Sequence, residues 1–226
     1  METTKSSINH QPAHSLALNI AATCQATYAL GPGLRSAVWV QGCPFRCPGC
    51  ISPDWVKERP AQRFSPQELA QELLTDPSVT GITFTGGEPM QQAAGLAETA
   101  RIIRRARDVS IICFTGYRYE ELIKKPPASG VALLLSELDV LIDGPYLAGL
   151  NENRGLRGSS NQRIYYLTDR LSNYYLEETP RRAEIQIHEG QAFLVGVPPR
   201  GMSAAFSSAL HNLETADLKM VTYERA

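Results

Sequence analysis

Four short apolar runs in this chain each end on a turn rich in residues that carry chemistry or let backbones approach closely. Ala37-Val-Trp-Val40 leads into Gly42-Cys-Pro-Phe-Arg-Cys-Pro-Gly-Cys50, and Val79-Thr-Gly-Ile-Thr-Phe84 into Thr85-Gly86-Gly87-Glu88-Pro89. Val109 to Phe114 leads into Thr115-Gly116-Tyr117, and Asp139-Val-Leu-Ile-Asp143 into Gly144-Pro145. Apolar residues at helical spacing fill the intervals. Strands separated by helices imply right-handed crossovers and a largely parallel sheet, an α/β fold. Loops leaving the carboxyl ends of such strands share one mouth, whether the sheet is open or closed, so all four turns are expected at one site.

The remaining pattern supplies boundaries. Leu16–Ile20 reads as a strand ahead of the Gly-Pro-Gly turn at 31–33. Ser65-Pro66-Gln67-Glu68 is a helix start in which Ser65 caps, Pro66 takes the first turn and Glu68 reaches back to the cap, with the helix running to about Leu74. Helices are expected over 91–107, 118–125 and 130–138, and a strand over Arg163–Leu167. Glu184–His188 and Ala192–Val195 flank Glu189-Gly190 as a hairpin, followed by a Pro198-Pro199-Arg200-Gly201 break and a helix near 203–213. The division expected is a flexible N-terminus over 1–14, a core domain over 15–169, and a C-terminal hairpin and helix over 170–226 packed on that core.

Cys43, Cys47 and Cys50 stand as C-x3-C-x2-C, three close thiolates with no fourth nearby. A cubane iron–sulfur cluster ordinarily takes four thiolates, so three leave one iron open for another ligand. Structural zinc is the competing reading, since Cys3His sites exist, but His10, His14, His188 and His211 form no second ligand pair. A disulfide framework fits poorly with five cysteines in a chain of 226 residues. Cys24 and Cys113 lie in or beside apolar stretches and read as small hydrophobes in the core.

Composition narrows the partners. With 43% hydrophobic and 20% charged residues the chain can bury one substantial core. A net charge of −1 with mixed signs gives no nucleic-acid footprint, and Arg101, Arg104, Arg105 and Arg107 read as a solvated helix face. No apolar run reaches membrane-spanning length and the first residues lack a signal core, so a cytoplasmic setting is expected, with no membrane partner.

The cysteine loop and Gly-Gly-Glu-Pro together resemble the radical S-adenosylmethionine superfamily. Gln41-Gly-Cys-Pro-Phe-Arg-Cys-Pro-Gly-Cys50, Phe114-Thr-Gly-Tyr-Arg-Tyr-Glu-Glu-Leu122, Asp139-Val-Leu-Ile-Asp-Gly-Pro-Tyr146 and Arg157-Gly-Ser-Ser-Asn-Gln-Arg163 are similar to the anaerobic ribonucleotide reductase activating proteins, within the glycyl-radical-enzyme activases. The resemblance covers roughly residues 15–168. It implies a partial (β/α) barrel of mainly parallel strands and a [4Fe-4S] cluster on Cys43, Cys47 and Cys50. It further implies S-adenosylmethionine on the open iron, cleaved reductively to a deoxyadenosyl radical that abstracts hydrogen from a glycine of a partner enzyme.

Under that resemblance Gly86, Gly87 and Glu88 contact the methionine end of the cofactor, and Thr115 and Gly116 continue the wall or form a plain helix-start turn. Asp143 binds cofactor or orients a loop. Pro145 stands where some activases carry a carboxylate-binding lysine. Ser160, Asn161, Gln162 and Arg163 ring the substrate mouth or serve as loop hydrogen-bonding residues. Tyr117 and Tyr119 gate the site or pack, and Arg35 meets a cofactor or partner carboxylate or makes a surface ion pair. Trp39 and Trp55 flank the cluster. The implied partners are a flavodoxin- or ferredoxin-like electron donor and a glycyl-radical enzyme or another protein or peptide. Two other readings stand beside the activase: a radical enzyme of the same core acting on a small molecule or peptide, and a non-catalytic iron–sulfur or zinc redox module.

Overall fold

Strands that are apolar along their whole length, not in alternation, belong between two covered faces. β2 (Arg35–Val40) is buried throughout, as are β6 (Val140–Asp143) and the first four residues of both β4 (Gly81–Gly86) and β5 (Ser110–Phe114). These four form the parallel centre of a seven-stranded sheet in the computed structural model, which describes residues 16–188 and 191–215. The proposed flexible segment 1–14 lies outside the described residues. β1 (Leu18–Thr27) pairs antiparallel with β2 and with a short β3 (Gln62–Phe64), while β7 (Arg163–Tyr166) pairs antiparallel with β6. The order β3-β1-β2-β4-β5-β6-β7 leaves β3 and β7 as the two edges, so the mixed α/β fold has a largely parallel central sheet.

The Ser65 signal folds as expected: its hydroxyl accepts from the Glu68 amide, and the Glu68 carboxylate accepts from the Ser65 amide at 2.8 Å. That box starts α1 (Pro66–Leu73), whose Leu69, Ala70 and Leu73 are buried against the sheet. A 3-10 turn at Pro89–Gln92 then feeds α2 (Ala93–Ala106). Two shorter helices, α3 (Tyr119–Lys124) and α4 (Val131–Glu137), carry the crossover from β5 to β6.

Two expectations need correction. The α2 arginines are not merely a solvated face: Arg101 and Arg104 pair with Glu137 at the end of α4, and Arg104 reaches buried Asp139 at 2.9 Å. Arg35 meets neither a partner nor a surface ion pair. It is fully buried, and its guanidinium donates to the hydroxyls of Thr83 and Ser110 and to the carbonyls of Pro32, Ile82 and Ser110. Gly81 is glycine for this reason, because a β-carbon there would lie 2.1 Å from the arginine's Nη1.

The C-terminal segment contributes β8 (Ala183–His188) paired antiparallel with β9 (Gln191–Gly196), then α5 (Met202–Thr215). The Glu189-Gly190 turn lies outside the described residues. Phe193 and Val195 pack with Cys24, Leu30, Ala37 and Trp39. Beside them Glu184 accepts from the Thr27 hydroxyl at 2.6 Å and the Tyr28 amide at 2.9 Å. Among the described residues no helix is long and apolar enough to cross a membrane.

Candidate metal and cofactor site

The carboxyl ends of β2, β4, β5 and β6 open into one cavity of about 430 Å³, within the size range of small-molecule sites. All three motif cysteines line it, with Gly86, Gly87 and Glu88 at and after the end of β4, Thr115 and Gly116 after β5, and Gly144, Pro145 and Tyr146 after β6. The four strand-end turns therefore meet as the topology demands. Trp39 and Trp55 line the cavity too, their rings 5.6 Å apart and tilted by 55°.

The base of the cysteine loop is fixed by the strand end beside it. The Gly87 amide donates to the Val40 carbonyl at 2.7 Å and the Glu88 amide to the Gly42 carbonyl at 2.8 Å. Gly86 has φ +99°, and a β-carbon there would lie 2.5 Å from the Trp39 α-carbon. The glycine pair thus allows close contact between β4 and the backbone that delivers Cys43. The middle of the loop is seated on the next strand end: the Phe45 ring lies against Gly116, where a β-carbon would come within 2.5 Å of it, and meets Tyr117 edge-on at 4.8 Å.

The Glu88 side chain is 1% exposed and bridges two strand ends. Its carboxylate accepts from the Met90 amide (2.9 Å), the Thr115 hydroxyl (2.7 Å) and the Gly116 amide (2.8 Å). Burial pushes its pKa up to about 7 against the opposing pull of these three donors. Asp143 is fully buried just behind the cavity wall. Its oxygens accept from the Tyr119 amide (2.8 Å), from Arg118 (3.4 Å) and from Arg163 through Nε (3.2 Å) and Nη2 (2.6 Å).

Of the proposed mouth residues, Gln162 alone lines the cavity. Its side chain donates to the Gly144 carbonyl and accepts from the Gly158 amide, both at 2.8 Å, knitting the loop after β6 to the loop before β7. The Ser160 amide donates to the Leu150 carbonyl, the Asn161 side chain to the Pro145 carbonyl, and Arg163 to Asp143 and exposed Glu120. Tyr119 packs on Tyr165 at 4.7 Å.

The donor set fits a cluster that leaves one iron free. The three motif cysteines line the cavity; among the described residues no histidine or further cysteine lines it, and the one carboxylate that does, that of Glu88, is engaged internally. The Ser52 amide donates to the Cys50 sulfur at 3.4 Å. Burial pushes the Cys43 thiol up to about 12 and also raises Cys50. Iron reverses that preference, because a coordinating thiol is deprotonated outright. Among the described residues no three His, Cys, Asp or Glu side chains, the motif cysteines included, are grouped so as to hold a metal ion.

Sequence reasoning passed over a further wall. Arg181 and most of the stretch from Leu194 to Ala204 line the same cavity, including Gly196, Pro198, Pro199 and Arg200 but not Val195 or Met202. The Pro-Pro-Arg-Gly run read as a chain break is lining; Arg181 carried no signal at all. Tyr146, inside a motif noted for other reasons, packs beside Gly49 and accepts from Asn151 at 3.2 Å.

A family model described as "4Fe-4S single cluster domain" matches residues 29–165. The chain is 32% identical to the anaerobic ribonucleoside-triphosphate reductase-activating protein of Enterobacteria phage T4 over 145 residues, covering 62% of this chain and 88% of that protein. The protein of the same description from Vibrio cholerae is also 32% identical, over 61% of this chain and 91% of its own length. A pyruvate formate-lyase-activating enzyme of Clostridium pasteurianum is 33% identical over 42% of this chain and 43% of that enzyme. The chain belongs to the 4Fe-4S single cluster domain family, in the radical S-adenosylmethionine branch of glycyl-radical-enzyme activating proteins.

Proposed function

We propose that this enzyme reductively cleaves S-adenosylmethionine and abstracts a hydrogen atom from a glycine of a partner polypeptide. The observation that carries the reading is the meeting of three thiols with the β4 Gly-Gly-Glu-Pro turn in one cavity that offers no fourth ligand among the described residues. A [4Fe-4S] cluster held by Cys43, Cys47 and Cys50 would supply the electron that breaks the sulfonium's carbon–sulfur bond. The chain's own residues bind and orient. Gly86, Gly87, Thr115 and Gly116 form the cofactor wall in this reading, Glu88 sets its spacing, and Asp143 orients the adjoining loop. Ser160, Asn161, Gln162 and Arg163 shape the mouth through which substrate enters.

The relatives' names supply the class of partner, a glycyl-radical enzyme such as an anaerobic ribonucleoside-triphosphate reductase. The reading further takes the sheet as a partial (β/α) barrel, residues 15–169 as the core, 170–226 as an extension packed on it, a flavodoxin- or ferredoxin-like protein as electron donor, and the cytoplasm as the setting. A second reading, action on a small molecule or peptide, is favoured by the extra cavity wall from Leu194 to Ala204, which lies beyond the family match.

Anaerobically reconstituted protein, reduced with dithionite and given S-adenosylmethionine, should release deoxyadenosine and methionine, and Cys47→Ala should release neither. An intact cluster with no cleavage would refute the enzyme reading. A glycyl radical seen by paramagnetic resonance after adding the candidate partner selects the first reading; cleavage without that signal selects the second.

A further inference from the structure

We propose that Arg200, backed by Arg181, forms a carboxylate-binding subsite in the cavity that the cysteine loop lines. Among the described residues three charged side chains line this cavity, Glu88, Arg181 and Arg200, and the Glu88 carboxylate is already filled by three internal donors. The two arginines leave an uncompensated positive field inside a partly enclosed, largely apolar site.

Each arginine is held in place by backbone. Arg181 donates through Nη1 to the Pro198 carbonyl (3.2 Å) and through Nη2 to the carbonyls of Arg157 (2.8 Å) and Gly158 (2.9 Å), while its Nε is buried without a partner. The Arg200 amide donates to the Asn151 loop through Asn153 Oδ1 at 2.6 Å, and its Nη2 reaches the Asn151 carbonyl. The nearby acid Glu152 is committed to Arg154 and Arg157. Among the described residues no carboxylate pairs with Arg181 or Arg200. Burial lowers the pKa of Arg181; Tyr146 acts to raise it, and the neighbouring charge of Arg200 to lower it further.

Division of labour follows from exposure. Arg181 is half-buried and its Nη groups are spent on carbonyls, so it sets the field and fixes the wall. Arg200 is exposed at the lip with guanidinium donors to spare, and so makes the direct contact. Both belong to the segment after the family match ends at residue 165, which makes the subsite a property of this chain's extension. The carboxylate comes either from the amino-acid end of S-adenosylmethionine or from the substrate.

The inference rests on the proposed reading only for its choice of ligands. Calorimetric titration of the cluster-reconstituted full chain, without reductant, tests it with S-adenosylmethionine, its decarboxylated analogue, and succinate added with and without saturating S-adenosylmethionine. Arg200→Gln leaves the wall in place, and a melting temperature matching the wild type verifies this. If the cofactor supplies the carboxylate, the weakening of binding on decarboxylation is at least about tenfold greater in the wild type than in Arg200→Gln. If the substrate supplies it, succinate binds beside S-adenosylmethionine in the wild type and loses at least about tenfold in Arg200→Gln. Equal binding of all probes to both proteins overturns the subsite. Failure of the wild type to bind or cleave S-adenosylmethionine would instead sink the proposed function, and succinate alone would still decide this inference.

Discussion

The carbonyl oxygen of Gly42 lies 2.2 Å from where a β-carbon on Gly87 would stand, so the strand end after β4 and the base of the cysteine loop are packed backbone to backbone. Gly87→Ala forces two backbones apart, and overpacking of this kind costs about 1–3 kcal/mol. Cys43 follows Gly42 directly, so the displacement is expected at the cluster: iron bound per chain after reconstitution should fall by at least half. Gly149→Ala is the matched control, because nothing lies within 4 Å of its β-carbon position. Full cluster loading in Gly87→Ala would show that the contact does not position the thiols.

The chemistry-bearing half of the cavity was legible because it rests on local signals: cysteines at fixed spacing, glycines after apolar runs, a capping box at Ser65. The reasons for those signals were less so. Gly86 and Gly87 read as glycine for a ligand, yet a β-carbon on either would strike Trp39, Val40 or Gly42 of their own chain. Arg35 looked like a surface or ligand cation because its five acceptors come from three separate segments and leave no local trace. β3 was missed because three residues carry no periodicity, and the wall from Leu194 to Ala204 because only the folded chain brings it beside Cys43.

Glu88 makes stability depend on pH in an unusual direction. Its folded pKa of about 7 lies above its ordinary 4.5, so between these values the native chain binds more protons than the unfolded one. Its contribution is therefore greatest below pH 4.5 and declines as pH rises to about 7, with no further change above. In urea unfolding of the metal-free chain, the wild type should lose stability across this window relative to Glu88→Gln. Parallel pH profiles for the two proteins would show that the carboxyl is ionised throughout.

Arg35→Lys should destabilise the core by about 2–4 kcal/mol, since an ammonium offers three donors in place of the planar guanidinium's five and strands buried carbonyls of Ile82 or Ser110. Chemical unfolding measures this. Iron content per folded chain should not change, because Arg35 does not line the cavity. A variant of wild-type stability would mean that the five hydrogen bonds add nothing net.

Asp143 and the loop before β7 provide a way to separate orientation from ligand binding. The Asp143 carboxylate satisfies the first amide of α3 and holds Arg118 and Arg163, and the Arg118 guanidinium in turn donates to the Asn161 carbonyl at 2.7 Å. Asp143→Asn presents an amide N–H₂ to this ring of donors and leaves at least one buried hydrogen bond unmade, a loss of about 1–3 kcal/mol. Because Arg163 is itself 42% exposed, water takes up part of its lost pairing and the loss should sit at the low end of that range. Faster amide exchange should be confined to the start of α3 and to residues 157–163, where the network ends. Affinity for S-adenosylmethionine, measured calorimetrically at a temperature where the variant stays folded, should fall by less than about threefold, a change worth under 1 kcal/mol. A larger loss of affinity with unchanged exchange in that loop would instead assign Asp143 a direct contact with the cofactor.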